Sequence, residues 1–319
     1  MSLPPRKIGN ALVHPIGFGF FQVLDSVFES GYNHIDCADV YGDSEVLIGK
    51  WLKKTGNRDK IFLTSKFGIT SKGGRGDPEY VKEQCAKSLE RFGVSYIDLY
   101  YQHRPDPKVP IEVTVGAMAE LGREGEISGL SECTAEDVRR AHAVHPISAL
   151  QVEFSPLVLD IESDEVALLK TAREHGITIV AYSPLARGLI TGQYKSPDDF
   201  DEGDTRKKIP KYRAENFPKI IEVAKRIEQV GMKHNATAGQ VTLAWILAQG
   251  DDFVVIPGTK KIKYVKENME AANVKLNANE IATVRKISEE SDIPGTRYGE
   301  AGMQIVMVKT PPLKTYNPL

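Results

Sequence analysis

Residues 31–42 read Gly31-Tyr32-Asn33-His34-Ile35-Asp36-Cys37-Ala38-Asp39-Val40-Tyr41-Gly42. A short apolar-edged strand ends in the carboxylate Asp36, and five residues on Tyr41 stands beside Gly42, ahead of the helical run Ser44–Lys54. Two later stretches have the same form, Ile61–Lys66 ending in a lysine and Ile97–His103 ending in a histidine. A polar residue at the C-terminal end of each strand places all of them on one rim of a sheet, where α/β proteins do chemistry.

Working outward, strand-like runs alternate with helix-period segments along the whole chain. The strand candidates are Val13–Phe18, Asn33–Asp36, Ile61–Lys66, Ile97–His103, Ile127–Ser131, Ala149–Phe154, Thr178–Ser183 and Phe253–Ile256. Amphipathic stretches lie between them: Leu24–Ser30, Ser44–Lys54, Glu79–Phe92, Val113–Glu124, Ala135–His145, Asp164–His175 and Phe217–His234. Pro78 and Asp164 stand at helix starts, and Gly56, Gly93 and Gly176 at helix ends. Eight strands, most followed by a helix, predict a (β/α)8 (TIM) barrel forming one domain over residues 1–319. A doubly wound sheet needs a phosphate-binding glycine turn. Gly17-Phe18-Gly19-Phe20-Phe21 does not supply one, and Gly73-Gly74-Arg75-Gly76 lacks the following Lys-Ser or Lys-Thr.

Two segments exceed simple connections. Residues 193–218, with a Lys207, Lys208, Lys211, Arg213 cluster, are expected to form a lid after strand seven. The proline-bearing tail from Pro294 is irregular, and Arg297–Met307 are expected to wall a pocket.

Composition narrows the function classes. A net charge of -2 and a pI near 6.4 give no global reason for nucleic-acid or membrane binding. Three cysteines without a C-x-x-C pairing read as reduced thiols. No apolar leader is visible after Met1, and the apolar run at Val241–Leu247 is too short to span a bilayer. The expectation is a cytoplasmic protein acting on a small molecule, with its oligomeric state open and no metal site. His142 and His145, three apart on one helix, lack a third ligand.

Asp36, Tyr41, Lys66 and His103 make chemical sense together. A tyrosine with its ordinary pKa of ~10 is a poor acid at neutral pH, and a neighbouring ammonium favours the phenolate. Lys66 supplies the ammonium, Asp36 keeps it charged and oriented, and His103 donates to a carbonyl oxygen beside the phenol. Such a set protonates an alkoxide as it forms, which suits carbonyl reduction by hydride.

At these residues the chain resembles the aldo-keto reductase family over nearly its whole length. Asp36–Gly42 with Ser44-Glu45 and Ile48-Gly49 is similar to the family's first signature. Asp98-Leu99-Tyr100 through His103 resembles the second, and Ile256-Pro257-Gly258-Thr259 with Glu267-Asn268 the third. The resemblance implies that Tyr41 is the general acid, that Lys66 and Asp36 tune it, and that His103 orients the substrate. It also implies a nicotinamide cofactor, with Ser131 and Gln151 on its amide and Tyr182 stacked on its ring. Ser183, Leu185 and Arg187 match the family's pyrophosphate turn.

Lys260, Lys261, Lys263 and Lys266 crowd a helix start, where cations oppose the helix dipole. A bound anion reconciles them. The resemblance puts the adenosine 2′-phosphate there, so NADPH is the expected cofactor, with Thr259 assisting and Asn268 at the adenine edge. Tyr264 stands where many members carry an arginine.

There are two departures from the family's pattern, of which the shortened first loop leaves room for a second reading, a nicotinamide-binding regulatory or interaction protein with little turnover. The connection from Gly17-Phe18-Gly19 to its helix is short, leaving the site open or filled by Phe20 and Phe21. The fifth strand, Ile127–Ser131, is about two residues short, which is expected to perturb Ser131. Phe20, Phe21, Tyr298 and Met303 are expected as pocket walls, leaning toward apolar or aromatic carbonyls. Cys37 is either a small buried thiol or a redox-sensitive one.

Overall fold

The computed structural model describes residues 3–19, 23–122 and 127–316. An antiparallel hairpin, β1 (Arg6–Ile8) and β2 (Ala11–Val13), opens the chain. After it come α1 (Leu24–Glu29), β3 (His34–Asp36), α2 (Ser44–Thr55) and β4 (Phe62–Phe67). A two-residue hairpin, β5 (Ile69–Thr70) with β6 (Gly73–Gly74), leads to α3 (Pro78–Phe92), β7 (Leu99–Gln102) and α4 (Ile111–Leu121). Next are β8 (Ile127–Ser131), α5 (Ala135–Val144), β9 (Ile147–Glu153), α6 (Leu168–Glu174) and β10 (Thr178–Tyr182). The chain continues through α7 (Phe217–Met232), α8 (Ala238–Leu247), β11 (Phe253–Val255), α9 (Ile262–Glu270), α10 (Ala278–Glu290) and α11 (Glu300–Met303).

Seven parallel strands run in the order β3-β4-β7-β8-β9-β10-β11. The eighth place is taken by residues 16–18. Ile16 bridges to Val255 of β11, and Phe18 bridges to Ile35 of β3. The Gly17 amide donates to the Val255 carbonyl at 2.7 Å, and the Asp36 amide to the Phe18 carbonyl at 2.8 Å. The sheet therefore closes into a (β/α)8 barrel, as the alternation predicts. The predicted first strand, Val13–Phe18, is corrected to these two bridges. Pro15 has no N–H to give a ladder, and a Cβ on Gly17 would stand 2.6 Å from the His34 ring.

Helix ends follow their punctuation. The Asp77 side chain accepts from the Tyr80 amide with Pro78 in the first turn, and Gly56 and Gly93 close α2 and α3 with φ of 67° and 66°. The predicted helix start at Asp164 is corrected. The Ser163 hydroxyl accepts from the Val166 amide in a local turn, and α6 begins four residues later, at Leu168.

The short fifth strand keeps its place. β8 pairs Gln102 with Leu130 on one side and Ser131 with Gln151 on the other, absorbing its irregularity as a register shift between Ser128 and Gly129. Gly129 is required there, because a Cβ would meet the Tyr101 ring at 2.5 Å. Residues 20–22, on which the short-loop expectation and the Phe20 and Phe21 walls rest, lie outside the described residues. Among the described residues no helix is long and apolar enough to cross a membrane.

Candidate active site

The C-terminal ends of the strands open into one cavity of about 1040 Å³. Asp36, Tyr41, His103, Ser131, Gln151, Tyr182, Ser183, Leu185, Arg187, Gly258, Thr259, Lys260, Lys261, Glu267 and Asn268 all border it. Lys66 of the predicted catalytic four stands behind the wall, with no exposure at all. Tyr298 from the tail is also a wall residue, whereas Met303 is not.

Parallel register brings the charged floor together. Asp36 ends β3 opposite Thr64 of β4, and Lys66 lies two residues further along β4. The Lys66 ammonium forms an ion pair with Asp36 Oδ1 and donates to the Cys37 carbonyl at 2.6 Å. Asp36 Oδ2 accepts from Thr64 Oγ1 at 2.9 Å and from Gln151 Nε2 at 2.8 Å. Gln151 is thus a prop for Asp36 from across the barrel. Lys66 Nζ sits 5.1 Å from the Tyr41 ring centroid, and the Tyr41 and His103 rings meet edge-on at 5.8 Å.

The charges respond to this setting. Burial works against the Lys66 ammonium, but Asp36 and the Tyr41 phenol more than offset it, so its pKa is raised. The Tyr41 ring is partly exposed at the cavity rim, yet desolvation of its hydroxyl by the surrounding packing raises the phenol's pKa, with the pull of Lys66 opposing that rise. The lowering expected from Lys66 alone is corrected: desolvation is the larger, opposing effect. His103 is held well below the ordinary histidine value by burial, then by Lys66 and Arg104, so it is a neutral imidazole at physiological pH. Cys37 is buried and its thiol is pushed up to about 12, first by burial and then by Glu45, which makes it inert rather than redox-sensitive.

At the far wall, Ser183, Ala186, Arg187 and Gly188 all have positive φ, between 48° and 94°. This tight turn carries Arg187, whose guanidinium lies 4.7 Å from the Tyr298 ring centroid. Lys261 is the N-cap of α9, and its amide donates to Thr259 Oγ1. Lys263 and Lys266 are not among the wall residues. In the expected lid, Tyr194 and Asp201 reach the cavity. Lys211 of the basic cluster instead donates to the carbonyls of Leu157 and Ile293, a structural tie.

One part of the site was not foreseen. Glu132, which follows Ser131 with φ of 52°, binds Arg297 of the tail through both oxygens, at 2.9 and 2.6 Å. It also accepts from the Tyr182 hydroxyl at 2.8 Å, and that hydroxyl contacts the Tyr298 hydroxyl at 2.8 Å. The tail thereby fixes the aromatic ring expected under the nicotinamide. Glu45 of the first signature has a structural task, binding Ser65 of β4 and Arg91 of α3 at 2.5 Å each.

The profile of the Aldo/keto reductase family matches residues 20–289. The chain is 60% identical to aldo-keto reductase str7 of Strobilurus tenacellus, an alignment spanning 96% of this chain and 98% of that protein. It is 43% identical to aldo-keto reductase yakc [NADP(+)] of Schizosaccharomyces pombe, over 98% and 99% of the two chains. Among solved structures, the aldo-keto reductase AKR11C1 from Bacillus halodurans aligns with a TM-score of 0.73 at 26% identity, over 89% of this chain and 96% of that one. The glycerol dehydrogenase AKR11B4 from Gluconobacter oxydans shares the fold, with a TM-score of 0.82 at 23% identity over 93% and 98%. The chain belongs to the aldo/keto reductase family, and is an oxidoreductase built on that family's barrel.

Proposed function

We propose that this protein reduces an aldehyde or ketone to an alcohol with NADPH, using Tyr41 as general acid in a single barrel domain spanning residues 1–319. The observation that carries the reading is the convergence of Tyr41, His103 and the Lys66–Asp36 pair on one cavity. That cavity is large enough for a dinucleotide with a small substrate. The residues present fit NADPH. A cationic wall at the α9 start suits a 2′-phosphate, the Ser183–Gly188 turn suits a pyrophosphate, and Tyr182 offers an aromatic face with Ser131 and Gln151 beside it. Leu185 belongs to that turn, and Gly258, Glu267 and Asn268 complete the adenosine side. Bound there, the nicotinamide supplies the hydride.

The chain's own residues handle the oxygen. Neutral His103 donates to the substrate carbonyl and orients it beside the Tyr41 hydroxyl. Tyr41 gives its proton to the oxygen as negative charge develops, and the buried Lys66 ammonium stabilises the phenolate left behind. Asp36, held by Thr64 and Gln151, keeps Lys66 charged and in place. A cytoplasmic location suits a protein with three buried free cysteines. The regulatory alternative has no observation in its favour. A fluorescence titration with NADPH and NADH, followed by a panel of carbonyls, tests the reading. Tighter binding of NADPH and turnover that Tyr41→Phe abolishes are the expected results. Failure to bind either cofactor would overturn it.

A further inference from the structure

We propose that Arg104 anchors a carboxylate of the substrate, so that the preferred substrates are oxo acids, aldehydes or ketones carrying an anionic oxygen group. This rests on the reductase reading above and names the substrate class of the same site. Arg104 follows His103 directly, is 5% exposed, and borders the cavity together with Tyr41, Ser131 and Tyr298.

Among the described residues, all its side-chain hydrogen bonds are to neutral groups. Nη1 donates to the His103 carbonyl at 2.7 Å and to Ser131 Oγ at 3.3 Å, and Nη2 reaches the Tyr298 hydroxyl at 3.5 Å. Nε has no hydrogen-bond partner, and among the described residues Arg104 forms no ion pair. The other cations packed around the cavity each face a carboxylate: buried Lys66 has Asp36, buried Arg297 has Glu132, and half-buried Arg187 has Glu153 at 3.8 Å. Glu132 feels the Arg104 charge, yet both its oxygens are engaged by Arg297.

A buried guanidinium without a counter-ion is costly, and in proteins such charges are paired. The missing partner is therefore an anion that enters the cavity. A guanidinium cannot serve as the proton donor, since it does not deprotonate. Its planar fork is instead suited to a carboxylate. The cofactor's phosphates do not fill the role, because the cationic groups set out for them are on α9 and the Ser183–Gly188 turn. Among the described residues, the Arg104 guanidinium hydrogen-bonds to His103, Ser131 and Tyr298, at the Tyr41 end. A carboxylate held there leaves the substrate's carbonyl to meet Tyr41 and His103.

The test compares 4-formylbenzoate with its methyl ester, and succinic semialdehyde with butanal, as substrates of the full chain with NADPH. The wild type is expected to favour each acid over its neutral counterpart in kcat/KM by about 10- to 100-fold, the range of a charged hydrogen bond. Arg104→Met is expected to collapse that ratio to within a few-fold, and Arg104→Lys to restore part of it. NADPH titration of each variant checks that the cofactor still binds. Benzoate against benzamide as competitive inhibitors of ester reduction by the wild type gives a readout that needs no variant, with benzoate expected to bind tighter. Equal use of acid and ester by the wild type, or an unchanged ratio in Arg104→Met, would overturn the inference while leaving the reductase reading intact. Inactivity toward every carbonyl despite NADPH binding would overturn both.

Discussion

Arg297 crosses 165 residues of sequence to place two N–H groups on the fully buried carboxylate of Glu132. Strand β8 and the tail are locked by this pair and by the Met307 amide, which donates to the Glu132 carbonyl at 2.7 Å. Glu153 lies at 3.4 Å from the same guanidinium, and burial holds its pKa up. Arg297 thus compensates two carboxylates at once.

Arg297→Leu is accordingly expected to destabilise the protein by about 3–5 kcal/mol, the cost of leaving a buried charge without its partner. The double variant Arg297→Leu with Glu132→Gln is expected to lose less than the sum of the two single losses, because the Glu132 charge is gone and Glu153 keeps Arg187 as a neighbour. Urea unfolding of the four proteins gives the coupling. Strict additivity would mean that the pair does not carry the tail's attachment.

Tyr41→Phe keeps the ring that packs on His103 and removes the proton. Reduction is expected to fall by about 10²- to 10⁴-fold, with NADPH affinity within a few-fold of wild type. Lys66→Met is expected to cost at least as much in rate, and also stability, because Asp36 is then buried uncompensated. Steady-state kinetics with stopped-flow turnover separates the two. Wild-type turnover by Tyr41→Phe would remove Tyr41 from the acid's role.

Much of this site was legible because its members stand at strand ends or, for Tyr41, on the loop that leaves one. Asp36, Tyr41, Lys66 and His103 are separated by connections, yet parallel register carries all strand ends to one rim, so chain order was enough. The Glu132–Arg297 pair left no such sign. A glutamate after a strand and an arginine in an irregular tail have no local pattern, and only tertiary packing joins them. The N-terminal hairpin was missed although Gly9-Asn10, with Gly9 at φ 56°, is a turn signal between short strands. Arg104 also had a visible sign, a charge immediately beyond a strand end that already held a candidate histidine.

His34 lies wholly buried in β3, and among the described residues neither ring nitrogen has a hydrogen-bond partner. Burial depresses its pKa to about 4, with Asp36 opposing and Lys66 assisting. An unfolded histidine titrates near 6.5, so below that pH the unfolded state takes up the proton first. The contribution is fully present above pH 6.5 and is lost as pH falls toward 4, by which point the loss amounts to roughly 3 kcal/mol. Asp39 acts in the opposite sense, since burial raises its pKa to about 6 and protonation there favours the fold. The comparison must therefore be between proteins. His34→Gln is expected to gain about 3 kcal/mol relative to wild type between pH 7 and pH 4. Parallel stability curves from urea unfolding would show that His34 does not titrate differently in the two states.

Gly49 on α2 faces α3 so closely that a Cβ would stand 2.3 Å from the Phe92 carbonyl oxygen. The obstacle is backbone, so it cannot rotate away. Gly49→Ala is expected to cost about 1–3 kcal/mol through overpacking, despite alanine's better helix propensity. A raised Tm would show that α2 and α3 separate freely.

The lysines at the α9 start supply the last test. Lys260 and Lys261 border the cavity where the helix presents its unsatisfied amides, so a phosphate there would meet both the side chains and the dipole. Lys260→Ala with Lys261→Ala is expected to reduce the ratio of NADPH to NADH affinity by about 10- to 100-fold, since only NADPH carries the extra phosphate. The wild-type preference is also expected to shrink as salt rises from 0.05 to about 0.5 M, because partly exposed charges are screened over ~10 Å at 0.1 M. Titration of both cofactors against both proteins at the two salt concentrations measures this. A preference for NADPH that survives the double substitution would move phosphate recognition away from α9, toward Arg187 and the Ser183–Gly188 turn.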